Sequence, residues 1–289
     1  MNYQIFTDAT SDLDEALLSG LPHIEIIPMD IEIDGELFTY GPNGNLTVKQ
    51  FYEMQRNGKF ANTSQVTPET FKCSFEPYLK QEKDIFYLGF SSGMSGTMNS
   101  ANIAKLELEE QYPDRKIICM DTLCASVGLG FLVMEAARRQ AQGMTVNELA
   151  YWADTHRLNI CHWFTVDTFK HLQHGGRVSA ISAMAGTVLN IKPLLHVNEE
   201  GKLDVAAKPR GSKQALKMKL QHMEQGWNPK MGNLVVIGHG DDIESAEKLK
   251  QEVSSQFPEA EIFIANIGPV IGSHTGPNMI ALIYWGNNR

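Results

Sequence analysis

The chain has 289 residues, 43% of them hydrophobic and 20% charged, enough for one large or two medium domains around a sizeable core. A net charge of −9 argues against general nucleic-acid binding. Four cysteines (73, 119, 124, 161) show neither a CxxC pair nor zinc-ligand spacing, so they read as free thiols of a reducing, cytoplasmic compartment.

MNYQIFTDAT lacks the basic and apolar regions of a signal peptide, and no apolar run is long enough to span a bilayer. Residues 3–7 read as a first strand, and a short helix over 13–19 ends at Gly20. Residues 24–33 (IEIIPMDIEI) alternate in part, and Asp34-Gly35 signals a hairpin before ELFTY. Residues 47–57 follow a helical pattern. Thr67 caps a further helix, with Pro68 at its first position, that runs to about Lys80.

Ile85 to Phe90 is a buried strand, then a Gly/Ser loop runs from Ser91 to Thr97, then a helix starts near Met98. Such a junction aims backbone N–H groups and hydroxyls beyond the strand's end, where the helix dipole favours an anion. The plainer reading is a solvated connector with an N-capping Ser or Thr. The spacing is not that of a phosphate loop, because no Lys follows Gly96.

Residues 116–121 form another strand. A helix over 125–140 carries Val127, Phe131, Met134 and Ala137 on one face, and another helix covers 145–156. This alternation predicts a parallel α/β sheet with ligands beyond the strand ends, where Thr7-Asp8, Ser91–Thr97 and Asp121-Thr122 converge. After 161 the pattern changes. HWFTV is a strand and DTFKHLQHGG a short helix. A small-residue helix over 177–190 follows, then a hairpin at Glu200-Gly201 and a basic helix over 211–225. Strands at NLVVIGHG, EIFIANI and MIALIYWG, with a helix over 242–256, complete the chain. The prediction is an α/β fold of two domains. Residues 1–160 form the N-terminal domain with a parallel sheet, and 161–289 an α+β domain with a mixed sheet.

Residues 167–220 hold nine basic against four acidic residues in an acidic protein. Lys208, Arg210, Lys213, Lys217 and Lys219 read either as a docking surface or as a solvated helix face. Residues 267–277 (IGPVIGSHTGP) read as a loop held rigid by glycines and prolines, with His274 at its tip. Arg177 follows two glycines and could bind a phosphate or a carboxylate, or simply pair with a local acid. His171 and His174 lack further ligands at metal-binding spacing, so no metal site is expected.

These motifs, in this order, resemble the DegV family of bacterial fatty-acid-binding proteins. The resemblance runs through FTDATSDL (6–13), TSQVTP (63–68), GFSSGMSGTMNSA (89–101), DTLCASVGLG (121–130), GGRVS (175–179), LNIKPLL (189–195), KPRGSKQAL (208–216) and IGPVIGSHTGP (267–277). The second loop departs mildly, reading Asp121-Thr122 where the family has Asp-Ser.

The resemblance implies two domains holding one long-chain fatty acid between them, with no other cofactor. It implies a carrier without catalytic residues of its own, serving the ATP-binding subunit of a fatty acid kinase in phospholipid metabolism, with transient membrane contact. Thr63, Ser95 and His274 then bind the carboxylate and Arg177 engages the kinase subunit; the residue types add loop N–H groups near Gly96 as carboxylate donors, and Arg210 and Lys213 of the basic segment as candidate docking residues. Neutral hydroxyls would hold the carboxylate without a salt bridge, since neither loop contains Lys or Arg. Phe90, Met94, Ile191, Leu194, Val270 and Ile271 are candidate tail-lining residues. Two other functions stay open: a hydrolase or phosphotransferase using Ser95 or Ser92 with His274 as base, and a lipid-sensing regulator. The pattern GxSxG is met neither by Gly89–Gly93 nor by Gly93–Gly96, and Asp8 or Asp121 would have to complete a triad.

Overall fold

The computed structural model describes residues 2–177 and 191–289, so the small-residue helix expected up to residue 190 lies outside the described residues. Strand β1 (Tyr3–Asp8) is buried along its whole length, as a strand covered on both faces must be. A one-turn helix α1 (Glu15–Leu18) follows, capped by Asp14.

The run 24–33 is two strands rather than one. Pro28 divides β2 (Ile24–Ile27) from β3 (Met29–Ile33). Proline offers no N–H to a ladder, so the chain leaves one sheet there and joins another. β2 lies parallel to β1, whereas β3 pairs antiparallel with β4 (Glu36–Tyr40). The expected turn at Asp34-Gly35 has φ of 52° and 82°, the left-handed pair of a tight hairpin. Helix α2 (Val48–Arg56) starts at a reciprocal cap between Thr47 and Gln50. It leads into β5 (Ala61–Thr63), a strand too short to show a periodicity, which pairs with the other edge of β3.

Helix α3 (Pro68–Leu79) begins as expected, with Thr67 accepting the Thr70 N–H and Pro68 at the first position. Then come β6 (Asp84–Gly89), α4 (Thr97–Gln111) and β7 (Ile117–Asp121), completing a parallel sheet of order β2-β1-β6-β7. Helices α5 (Val127–Ala141) and α6 (Val146–His156) lead to β8 (Ile160–Thr165) and the short α7 (Lys170–His174). The hairpin β9 (Leu194–Val197) and β10 (Leu203–Ala207) precedes α8 (Gly211–Gly226) and β11 (Leu234–His239). The last elements are α9 (Ile243–Gln256), β12 (Glu261–Asn266), α10 (Pro269–Thr275) and β13 (Ile280–Trp285). Strands β8 to β13 make a six-stranded mixed sheet of order β10-β9-β8-β13-β11-β12, in which only β11 and β12 run parallel. The expected architecture thus holds, with a three-stranded antiparallel sheet β4-β3-β5 added to the first half.

Helix α5 was expected to bury one face. Twelve of its fifteen residues are buried, because it lies between β6 on one side and β8, β11 and β13 on the other. A helix apolar on all sides is a helix inside a core. One hydrophobic cluster therefore runs through both halves, from Phe86 and Leu88 through Phe131 to Ile283 and Trp285. The Phe131 and Trp285 rings meet edge to face at 5.1 Å. A second cluster fills the space around Phe6, Phe71, Phe75 and Tyr87, and a third packs α8 and α9 on the outer face of the mixed sheet.

The stretch 267–277 is not a loop. Its central seven residues form α10, with Pro269 at the first helical position and Gly276 (φ 76°) ending it. Proline at the start and glycine just past the end mark a helix, so the same residues that suggested a rigid loop are its boundaries. Among the described residues no helix is long and apolar enough to cross a membrane.

Candidate functional site

Beyond the C-terminal ends of β1, β6 and β7 lies a cavity, reached by Thr10, by Phe90, Met94 and Ser95, and by Ala125 to Val127. Phe164, Ala281 and Ile283 of the mixed sheet close its far side, and Val270 and Ile271 of α10 close another. The cavity spans about 820 Å³ counting its open mouth, of which about 90 Å³ is wide enough for the centre of a water molecule.

The polar side chains lining this apolar space include Thr63 on β5, Ser95 before α4, Arg177 after α7 and His274 in the last turn of α10. Thr63 Oγ1 stands 2.9 Å from His274 Nε2. The other ring nitrogen, Nδ1, is buried with no partner among the described residues. It packs against Gly175, where an added Cβ would lie 2.0 Å from it. Burial, then the charge of Arg177, push the His274 pKa down to about 4, so the ring is neutral at pH 7. An unsatisfied buried N–H is costlier than a bare lone pair, which favours the tautomer with the proton on Nε2. His274 then donates to Thr63, and the Thr63 hydroxyl proton is left for a ligand.

Arg177 was expected to engage a kinase subunit, and neither loop carries a Lys or Arg. In the structure Arg177 also lines the cavity, as His274 does. Its guanidinium donates from Nε to Met94 O at 3.2 Å and from Nη1 to Gly175 O at 2.6 Å. Sequence separation hid this, because Met94 and Arg177 stand 83 positions apart in the chain.

Hydroxyls of the Gly/Ser loop also bond within the protein. Ser91 Oγ donates to Gly201 O at 2.7 Å, tying the loop to the β9–β10 hairpin. Ser95 Oγ is 3.0 Å from Thr97 Oγ1, and Gly96, not a Ser or Thr side chain, stands at the N-cap of α4. Gly96 does not line the cavity. It lets Gln65 approach, since an added Cβ would sit 2.1 Å from Gln65 Oε1. Gln65, Ser64, Ser126 and His162 do line the cavity and were not anticipated. The stretch TSQVTP held the signal for the first two.

Neither aspartate reaches the cavity as a catalytic group would. Asp8 is fully buried and accepts from Thr10 and from the Tyr87 hydroxyl, the latter at 2.6 Å. Asp121 Oδ1 accepts the backbone N–H groups of Ser92 and Leu123 at 3.2 and 3.1 Å. Of the six expected tail-lining residues, Phe90, Met94, Val270 and Ile271 are in place. Ile191 instead bridges to Arg210, and Leu194 is buried in β9, so both belong to the strand framework.

The basic helix is divided. Arg210 is exposed at the N-cap of α8, and Lys213 is exposed in its first turn. Neither lines this cavity. Lys219, expected on the same solvated or docking face, is 2% exposed. It falls on the stripe of Ala215, Leu216, Leu220 and Met223, a pattern the sequence already contained. Phe60 packs against His171 and His174, and among the described residues no group of three or more His, Cys, Asp or Glu is placed to hold a metal.

A model of the family described as uncharacterised proteins of the DegV family matches residues 2–287. A DegV domain-containing protein of Clostridium perfringens is 39% identical over 287 residues, covering 99% of this chain and 98% of its own. A solved DegV family protein from Thermus thermophilus, described by its fatty-acid binding, is 27% identical with a TM-score of 0.87, covering 99% of this chain and 100% of that one. The Streptococcus pneumoniae fatty acid kinase (Fak) B3 protein, loaded with linoleic acid, shares the fold at 21% identity and a TM-score of 0.87, with 99% of each chain covered.

Proposed function

The chain belongs to the DegV family, and from that premise we propose that it is a carrier. It binds one long-chain fatty acid between halves 1–160 and 161–289 and presents the carboxylate to a separate ATP-using kinase subunit. One observation carries this reading: an apolar cavity between two sheets ends in a cluster of Thr63, Ser95, Arg177 and His274. An apolar body with a compact polar end suits a molecule with a long tail and one anionic head.

The tail supplies affinity and the head sets direction. At ~0.8 kcal/mol per buried CH₂, a sixteen-carbon chain contributes on the order of 10 kcal/mol. Water-wide space of about 90 Å³ takes only some six to nine waters at roughly 10–15 Å³ each. A long tail therefore enters as the walls give, and the unbranched side chains of Met29, Met94 and Met279 are the walls that give most readily. At the head, Thr63 and Ser95 donate hydroxyl protons to the carboxylate. Arg177, half committed to two backbone carbonyls, balances its charge from the exposed rim, where a kinase subunit reaching for the carboxylate would meet it.

The geometry favours this over a Ser/His hydrolase. A nucleophile needs its base within hydrogen-bond reach. Here Nε2 of His274 lies against Thr63, and the Ser95 hydroxyl lies against Thr97.

Denaturing extraction of the purified protein followed by lipid mass spectrometry, compared with the native mass, tests the reading. One fatty acid per chain is expected. An empty protein that also takes up no added fatty acid would overturn it. Acyl-phosphate formation on adding a kinase subunit and ATP tests the second half.

A further inference from the structure

The mixed sheet has a second cavity on its other face. The pleat separates the two: Phe164, Ala281 and Ile283 face the cavity described above, while the alternate positions Thr165 and Ile280 line the second. It lies between the sheet and helices α8 and α9, and offers about 460 Å³ of water-wide space.

Lys219 stands in its wall, 2% exposed. Its Nζ donates to Thr165 Oγ1 at 3.2 Å and to Ile280 O at 3.1 Å, two residues paired across β8 and β13. Both acceptors are uncharged, and among the described residues no carboxylate hydrogen-bonds the amine. A buried lysine without a counter-charge is costly, and the apolar stripe around it would accept Met or Leu without that cost.

The neighbouring charges do not supply the partner. Lys192 pairs with Asp167, which also accepts Asn278 Nδ2 at 2.8 Å. Asp242 caps α9 by accepting the Ser245 N–H at 3.1 Å. Lys213, Lys248 and Glu252 line the cavity without an ion pair among the described residues. The cap bond leaves the Asp242 charge in place, so with Lys219 the count is three lysines against Asp242 and Glu252.

We propose that this cavity binds a small molecule through an oxyanion, a phosphate or carboxylate group, with Lys219 as the counter-charge at its floor and Lys213 and Lys248 at its rim. Burial holds the Lys219 pKa down to about 7, and Asp242 pulls the other way. An anion would therefore bind together with a proton, and its affinity falls as pH rises above that value, by up to about tenfold per unit.

Inorganic sulfate is the probe, because its charge is constant across this range. Lysine Cε resonances are followed by NMR with and without sulfate, below and above neutrality. The expected result is an upward move of the Lys219 titration on adding sulfate, and tighter binding at the lower pH. Lys219→Met should weaken binding and remove its pH dependence while leaving fatty-acid content unchanged. No sulfate-dependent change at Lys219, or unaltered binding and pH dependence in Lys219→Met, would overturn the proposal. Should Lys219→Met not fold, the exposed pair Lys213→Glu with Lys248→Glu decides: lost sulfate binding supports the site, and unchanged binding overturns it. The fatty-acid reading is measured separately on the same samples.

Discussion

Thr63 and His274 lie 211 residues apart and meet at 2.9 Å, joining the edge strand β5 to the last turn of α10. Both halves of the chain are needed for this one polar contact, and the cavity's head is built around it. If His274 donates to Thr63, the two act on a carboxylate as a unit. Thr63→Val should weaken fatty-acid binding by roughly 1.5–3 kcal/mol, about 10- to 100-fold in Kd. His274→Gln added to Thr63→Val should cost far less than His274→Gln alone. A double-mutant cycle on fatty-acid affinity reads that coupling, and additive losses would mean that His274 reaches the ligand independently.

Gly175 sets where the imidazole can lie. An added Cβ would come 2.0 Å from His274 Nδ1, too close for the ring to stay. The φ of Gly175 is −74°, so the backbone itself accepts alanine without strain. Gly175→Ala should therefore reproduce the binding defect of a His274 variant, with any loss of melting temperature coming from the displaced ring and not from backbone strain. Wild-type affinity in Gly175→Ala would show that the ring position does not matter.

Asp12 links the starts of α5 and α10: Oδ2 accepts from Ser126 Oγ at 2.5 Å and Oδ1 from the Gly268 N–H at 2.8 Å. Burial lifts its pKa from 3.8 to about 8 in spite of those bonds. Between these values the folded state holds a proton that the unfolded chain has released. The contribution to stability is then complete below about pH 4 and is lost as pH rises towards 8. Asp12→Asn keeps an acceptor for Gly268 and offers a donor to Ser126, as the protonated acid does. Melting curves should show the variant matching wild type in mild acid and exceeding it at pH 8.

The thiols should separate sharply in reactivity. Cys73 is exposed, while burial pushes Cys119 up to about 12 and Cys161 up to about 11, and Cys124 is raised as well. Thiolate is the reactive form. Iodoacetamide at neutral pH should label Cys73 alone in the folded protein and all four cysteines after denaturation, as read by peptide mass spectrometry.

The sequence by itself determined most of the strands and helices, the cap at Thr67-Pro68, the hairpin at Asp34-Gly35, and the Gly/Ser loop at the end of β6. These are local: a period of two or 3.6, a capping hydroxyl or a turn residue acts within a few positions. Tertiary structure alone decided the rest. Pro28 split one apparent strand because two sheets, not one, awaited its halves. Helix α5 is buried on most sides because a second sheet covers it. Residues 267–277 formed a helix whose last turn carries His274 to Thr63. Arg177 reached the cavity through the packing of the segment after α7 against Met94, 83 positions earlier. Lys219 lies on a helical stripe the sequence contained, but its acceptors Thr165 and Ile280, 54 and 61 positions away, come from strands that only the fold brings under α8.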